Sequence, residues 1–218
     1  MKIRYLGHAS FELVLSDGRK IVFDPYESGA YDGALAYSPI TGEFDVAVVS
    51  HDHADHRDPS VVSRSRNVVE GEGSYDFDGV KVKSISTYHD ESKGAERGKN
   101  LVSLVEADGL KVVHLGDLGH MITDREAGEL KGVDILLIPV GGYFTIDAKT
   151  AKQVVDALQP RMVIPMHFKT PKVNFPIAGV EDFTALFSDV ERTGVSEIEV
   201  TPDELPSSLR VVVLEPSK

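Results

Sequence analysis

A chain of 218 residues with 41% hydrophobic content can close one sizeable core, as a single large domain or as two small ones. Its 23 basic and 35 acidic residues leave a formal net charge of −12, which opposes a broad nucleic-acid surface because phosphate backbones need a basic footprint. The absence of cysteine excludes disulfides, thiolate nucleophiles and Cys-type zinc knots.

The first quarter reads as β structure. Lys2 to Leu6, Ser10 to Leu15 and Lys20 to Phe23 are short apolar or alternating runs, and Ser16-Asp17-Gly18 is a hairpin signal between the last two. Tyr26 to Gly42 is rich in Gly, Tyr, Ser and Pro without periodicity and reads as an irregular excursion. Asp45 to Val49 reads as a buried strand, and Pro59 to Arg66 as a short helix. Strands follow at Asn67 to Val69, Lys81 to Tyr88, Leu101 to Ala107 and Lys111 to His114.

The second half alternates. Thr123 to Lys131 is a helix candidate with Asp124 and Glu126 in its first turn, and Val133 to Ile138 is a buried strand. Asp147 to Leu158 has an N-cap in Asp147 and one apolar face of Ala151, Val154, Val155 and Leu158. Arg161 to Pro165 is another strand. Val180 to Arg192 carries Phe183, Leu186, Phe187 and Val190 at helical spacing, with Gly194 just beyond. Ile198 to Val200 and Leu209 to Leu214 close the chain as strands. With no long linker and no repeat, residues 1–218 read as one domain of packed sheets with helices outside.

Chemistry concentrates directly after the strand Asp45 to Val49, in His51-Asp52-His53-Ala54-Asp55-His56. Ligands at the carboxyl end of a buried strand are how open α/β folds build active sites. In an extended backbone His51, His53 and Asp55 share parity, so a modest bend could converge them. Imidazole nitrogens and carboxylate oxygens suit Zn, Mn or Fe. The segment therefore reads as part of a metal site, one with room for two ions. Further donors sit at other strand ends: His89, His167, and Asp117 between Gly116 and Gly119.

His-x-His-x-Asp-His after a buried strand, then a later His, a Gly-Asp and a final His, resembles the metallo-β-lactamase superfamily across nearly the whole chain. Leu6-Gly7-His8-Ala9-Ser10-Phe11 and Phe23-Asp24-Pro25 look like its small stand-alone metal-dependent hydrolases related to ascorbate-lactone hydrolases. The resemblance implies a four-layer αββα sandwich with the metals in a cleft at the sheet edges. Carried over, His51, His53 and His89 would hold one metal, Asp55, His56 and His167 the second, and Asp117 would bridge them. Two cations roughly 3.5–4 Å apart can share a hydroxide and polarise a carbonyl or phosphoryl oxygen. Asp55 or Asp117 could then orient the attacking oxygen, and His120, on the loop of Asp117, could touch substrate or transfer a proton.

Around this set, His8 reads as a substrate contact or a support for a ligand, Asp24 as a hydrogen-bond partner of a ligand imidazole, and Tyr143 as a residue shaping the pocket. His114, inside an apolar strand, reads as structural. Lys93, Arg97 and Lys99 form a local basic cluster that could attract an anion, and Lys169 and Lys172 could do the same.

The function that follows is hydrolysis of an ester, lactone or phosphodiester of a small anionic molecule with two divalent ions, Zn first, then Mn or Fe. The competing readings are a metal-binding regulatory or scaffold protein without turnover, and a nuclease-type phosphodiesterase. A redox di-iron relative would carry Glu in place of His53. No run approaches a membrane span and no signal-type apolar core opens the chain, so the expected setting is cytoplasmic. The expected partner is a small molecule, with homo-oligomerisation left open.

Overall fold

Side-chain alternation in the first strands decides which faces meet. The computed structural model describes Met1–Lys218. Strands β1 (Lys2–Gly7), β2 (Ser10–Val14), β3 (Lys20–Phe23), β4 (Val46–Val48), β5 (Asn67–Val69) and the distant β13 (Glu197–Glu199) form one sheet in the order β13-β1-β2-β3-β4-β5. In β3, Ile21 and Phe23 enter the large central core while Val22 points the other way; in β4, Val46 and Val48 enter it while Ala47 does not. That outward face is not left bare. Tyr26, Leu35, Tyr37, Ile40 and Phe44 of the irregular excursion cover it, together with Val61 of helix α2 (Pro59–Arg64). Within the excursion, the single turn α1 (Ala30–Gly33) holds Tyr31 and Asp32 in left-handed backbone.

The second sheet faces the first across the core. It comprises β6 (Gly73–Phe77), β7 (Val80–Tyr88), β8 (Lys99–Ala107), β9 (Leu110–His114), β10 (Ile135–Pro139), β11 (Met162–Met166), β12 (Val190–Arg192) and β14 (Arg210–Val213), ordered β12-β14-β11-β10-β9-β8-β7-β6. β10 and β11 are buried at every position, the pattern of parallel strands covered on both faces. Their crossover is α4 (Ala148–Leu158), capped by Asp147 accepting from the Thr150 amide and burying Ala151, Val154, Val155 and Leu158. The helix α3 (Asp124–Glu129) starts on a Thr123–Glu126 capping box. Two facing sheets with a few helices outside make the αββα order. No helix is long and apolar enough to cross a membrane.

The fold departs from the sequence expectations at two places. The apolar spacing over Val180 to Arg192 predicts one helix, but only α5 (Glu181–Thr184) forms, and Val190–Arg192 becomes the edge strand β12 paired in parallel with β14. Phe183 and Phe187 still meet, with ring centroids 4.7 Å apart, so the contact implied by the spacing survives while sheet pairing overrides the helix. Strand β6 forms where no strand is expected, with Tyr75 and Phe77 alternating along it and stacking at 6.2 Å.

The sheets are also joined by a polar pin. His114 lies flat on Phe23, with centroids 4.9 Å apart and planes 2° from parallel, and its Nε2 donates to the Ala9 carbonyl at 2.8 Å. Its Nδ1 accepts from the Gly116 amide at 3.1 Å, which fixes the neutral tautomer. The structural reading of His114 agrees with these contacts.

Candidate metal centre

The carboxyl ends of β4, β7, β9 and β11 open on the same edge of the sandwich. After β4 the chain does not stay extended. His56 and Arg57 amides both donate to the His53 carbonyl, winding the segment into a turn. The parity expectation for His51, His53 and Asp55 therefore gives way to a split, with His51 and His53 on one side and Asp55 and His56 on the other.

Asp24, at the end of β3, fastens this turn. Its Oδ1 accepts from the Ser50 amide and its Oδ2 from the Ser50 hydroxyl, both at 2.7 Å. His56 Nδ1 also lies 2.7 Å from Asp24 Oδ2, so Nδ1 carries the proton and Nε2 faces Asp117 Oδ1 at 3.2 Å. Burial alone would raise the Asp24 carboxyl, but His114 and His56 outweigh it and hold it below the ordinary range.

The second sheet supplies its groups singly. His89 follows β7 and His167 follows β11, and each aims Nε2 at Asp117 Oδ2, at 3.1 and 3.3 Å. Asp117 itself is set by Asn100, whose Oδ1 accepts from the Asp117 amide while its Nδ2 donates to Thr87 Oγ1 and the Leu115 carbonyl, all at 2.9 Å. Gly116 is required here: at φ 55 a Cβ would lie 2.3 Å from Asn100 Oδ1. Gly119 allows a similar approach, since its Cβ would lie 2.2 Å from the His89 carbonyl carbon. His8 and His167 both adopt positive φ, and the His167 amide donates to the His8 carbonyl at 2.8 Å.

Three sets each bring their donor atoms within 4.8 Å of one another: His51, His53 and His89; His8, Asp55, His56 and His167; and His51, His56 and Asp117. His56 Nε2 and Asp117 Oδ1 are buried without a hydrogen-bond partner, as is Nδ1 of His8, His89 and His167. Buried polar atoms are rarely left so, and a cation answers the first two directly. Electrostatics favours the neutral, donor form of two of these rings. Burial and neighbouring His56 push His51 down to about 3, and burial with His167 pushes His8 down to about 4, leaving both as neutral imidazoles. Burial would lower His56 too, but Asp117, Asp55 and Asp24 outweigh it and raise its pKa well above the usual value, so a cation at Nε2 would have to displace a proton there. For Asp117 burial acts upward, and His167 and His56 still hold the carboxylate well below its usual range. The residues fit a divalent ion.

These groups floor a cleft of about 350 Å³ lined by Tyr31, His53, Asp55, His89, Arg97, Asp117, Phe144, His167 and Phe175. A cavity of similar size on the β6–β8 face, with Tyr75, Lys81, Lys83, Leu104 and Glu106, contains none of them. His8 is fully buried beside Asp55, with Nε2 3.0 Å from its Oδ2, and is not among the residues lining the cleft. His120 is not brought into the cleft. Its Nε2 accepts from the Tyr88 amide at 3.2 Å and its Nδ1 donates to the Met121 carbonyl at 2.9 Å, so neither nitrogen is free for proton transfer. Tyr143 is 65% exposed and lines an adjoining polar pocket beyond Phe144. Lys169 and Lys172 are engaged with the carbonyls of Phe175 and Lys218. Tyr31, Phe144 and Phe175 carried no motif signal, and only the folding of the excursion places Tyr31, whose hydroxyl donates to Asp55 Oδ1 at 3.0 Å.

Comparison with known proteins gives concordant matches. Residues 2–167 match the family model of the beta-lactamase superfamily domain. A UPF0173 metal-dependent hydrolase of Thermococcus onnurineus is 33% identical over 216 residues, covering 87% of this chain and 93% of that protein. A crystal structure from Thermotoga maritima, provisionally described as a Zn-dependent hydrolase of the metallo-beta-lactamase superfamily, superposes with TM-score 0.79 at 37% identity over 98% of both chains. Igni18, a metallo hydrolase of Ignicoccus hospitalis, shares the fold at TM-score 0.66 and 22% identity, over 100% of this chain and 96% of its own.

Proposed function

The chain belongs to the UPF0173 metal-dependent hydrolase family of the metallo-beta-lactamase superfamily, and from that premise we propose that it cleaves an ester, lactone or phosphodiester of a small anionic molecule with two divalent cations. The observation that carries the reading is the convergence of His56, His89 and His167 on the two oxygens of Asp117, with His51 and His53 beside one flank and Asp55 beside the other. On this assignment His51, His53 and His89 would hold one ion and Asp55, His56 and His167 the other, with Asp117 available to both. Zn is the first candidate, with Mn or Fe accepted by the same donors. Bound there, such ions would supply Lewis acidity and lower the pKa of an attacking water.

The protein's own contribution is position and charge. Asp24 holds His56 through Nδ1 and so fixes the ring's orientation, and His8 and Tyr31 each contact one oxygen of Asp55. Asp117, held as a carboxylate by its histidines, is placed to orient the attacking oxygen. Tyr31, Phe144 and Phe175 give the cleft an aromatic wall. A volume of about 350 Å³ lies at the small end of ligand sites, which favours a small molecule over a nucleic acid. The likeness of Leu6 to Phe11 and Phe23 to Pro25 to lactone hydrolases is the reason for including lactones.

Metal analysis of the Zn- and Mn-reconstituted protein, coupled to an ester, lactone and phosphodiester panel, tests the proposal. Two ions per chain and turnover of at least one class are expected. Saturation at one ion overturns the count. Full loading without hydrolysis overturns the activity and leaves the metal-binding regulatory reading.

A further inference from the structure

Four side chains of the cleft have no role as cation donors: Tyr31, Phe175, Phe144 and Arg97. They form a continuous row. The rings of Tyr31 and Phe175 meet edge to face at 5.6 Å, those of Phe175 and Phe144 at 5.8 Å, and the Arg97 guanidinium carbon lies 5.9 Å from the centre of Phe144. The row is assembled from four remote stretches, three of them tied down by hydrogen bonds. The Asn174 amide donates to Ala34 at 2.7 Å and Leu35 bridges Val173, which joins the Tyr31 and Phe175 segments. Asp90 accepts from the amides of Ser92, Gly94, Glu96 and Arg97, folding the loop that presents Arg97 into a fixed nest.

Arg97 is the one cationic side chain lining the cleft. Its ion partner is Glu96, at 3.7 Å and with a side chain 60% exposed, a contact that leaves most of the planar donor fork unused. A fork held over an aromatic face at the mouth of a metal cleft, in a chain of net charge −12, reads a specific anion rather than gathering anions at large.

We propose that this row is the recognition wall of the enzyme, taking a small substrate with a flat apolar body and one carboxylate or phosphate group, the body against Phe144 and Phe175 and the anion on Arg97. The inference rests on the hydrolase reading for its term substrate, but its binding test does not depend on turnover.

The metal-loaded protein is titrated with benzoate, phenyl phosphate and benzyl alcohol by NMR, alongside acetate and inorganic phosphate. The aromatic anions are expected to bind roughly 10- to 100-fold tighter than benzyl alcohol, the scale of a charge-assisted hydrogen bond. Whichever of benzoate and phenyl phosphate binds tighter names the anion. Arg97→Gln should erase the advantage and Arg97→Lys should keep part of it; Phe144→Ala should weaken all three aromatic probes. Metal content and circular dichroism establish that each variant is folded and loaded. An undiminished anion advantage in Arg97→Gln would show the anion on the cations and overturn the proposal. So would acetate and inorganic phosphate binding as tightly as their aromatic counterparts. In turnover, the KM ratio between methyl benzoate and monomethyl terephthalate should collapse toward one in Arg97→Gln. A panel without any turnover speaks against the hydrolase reading and leaves the titration to decide on Arg97.

Discussion

The two sheets build their halves of the centre by different means. The first places His51, His53, Asp55 and His56 in a single turn after β4, fastened by one carboxylate, Asp24. The second brings His89, Asp117 and His167 from three separate strand ends, and their only common reference is the order β11-β10-β9-β8-β7. The local half depends on a short-range hydrogen-bond fastening. The distributed half depends on sheet topology and on Asp117, the one side chain within salt-bridge range of His56, His89 and His167 together.

That contrast is broken most severely at Asp117. Asp117→Asn removes the negative charge on which three imidazoles converge, and the expected loss in kcat/KM exceeds the ~10–100-fold typical of a supporting residue. His53→Ala, at the exposed arm of the local half, should also abolish turnover, but with one metal equivalent retained. Metal stoichiometry separates the two variants, and a wild-type rate in either would sink the ligand assignment. Next in size is Asp24→Asn. It loses the acceptor that fixes the His56 tautomer, and metal affinity should fall roughly 10–100-fold in a chelator competition. If affinity were unchanged, the turn would be set by its own backbone bonds and the fastening role would be wrong.

The same division decides what could be read from the sequence. His51 to His56 is legible because its donors are contiguous and follow a valine strand, and β3, β5 and α4 are legible because burial periodicity is local. His89, Asp117 and His167 are ordinary strand-end residues taken alone, and the family pattern was needed to gather them. Tyr31, Phe144, Phe175 and the Asn100 link had no local signal. Their positions follow from how the excursion and the strand ends are packed. The failed helix over Val180 to Arg192 teaches the same point, since Val190 to Arg192 took a strand partner, β14, that lies late in the chain. His120 shares a loop with Asp117, but its ring is turned to the Tyr88 amide and the Met121 carbonyl, and the remote Tyr88 contact has no local signal.

A smaller effect is expected from the pin between the sheets. Burial lowers the His114 pKa, and the nearby Asp24 only partly opposes this, so the folded ring stays neutral where an unfolded histidine protonates at about 6.5. The unfolded chain then binds more protons below that value. The stability His114 contributes is fully present above pH ~6.5 and is lost as the pH falls from there toward the depressed folded value. Other histidines titrate as well, with His56 of opposite sign, so the readout is a difference. Between pH 7.5 and 5.5, the urea midpoint of the wild type should fall more steeply than that of His114→Gln. The one-proton limit is about 1.4 kcal/mol per pH unit. Parallel pH profiles would mean that the ring protonates as readily folded as unfolded.

The smallest expected effect is at His120, and it sharpens the boundary of the distributed half. Both ring nitrogens are committed to backbone groups, one holding the end of β7 through the Tyr88 amide. His120→Ala should therefore cost stability on the scale of a lost hydrogen bond, about 0.5–1.5 kcal/mol by urea denaturation. Turnover should change by less than the ~10-fold lower bound of a residue that supports a ligand. A proton-transfer residue removed from the reaction would instead cost ~10²–10⁴-fold. A loss in that range, with the metal content and the urea midpoint preserved, would place His120 in the chemistry. It would also mean that the loop after Asp117 turns over when substrate enters, and the β9 strand end would then supply two functional groups.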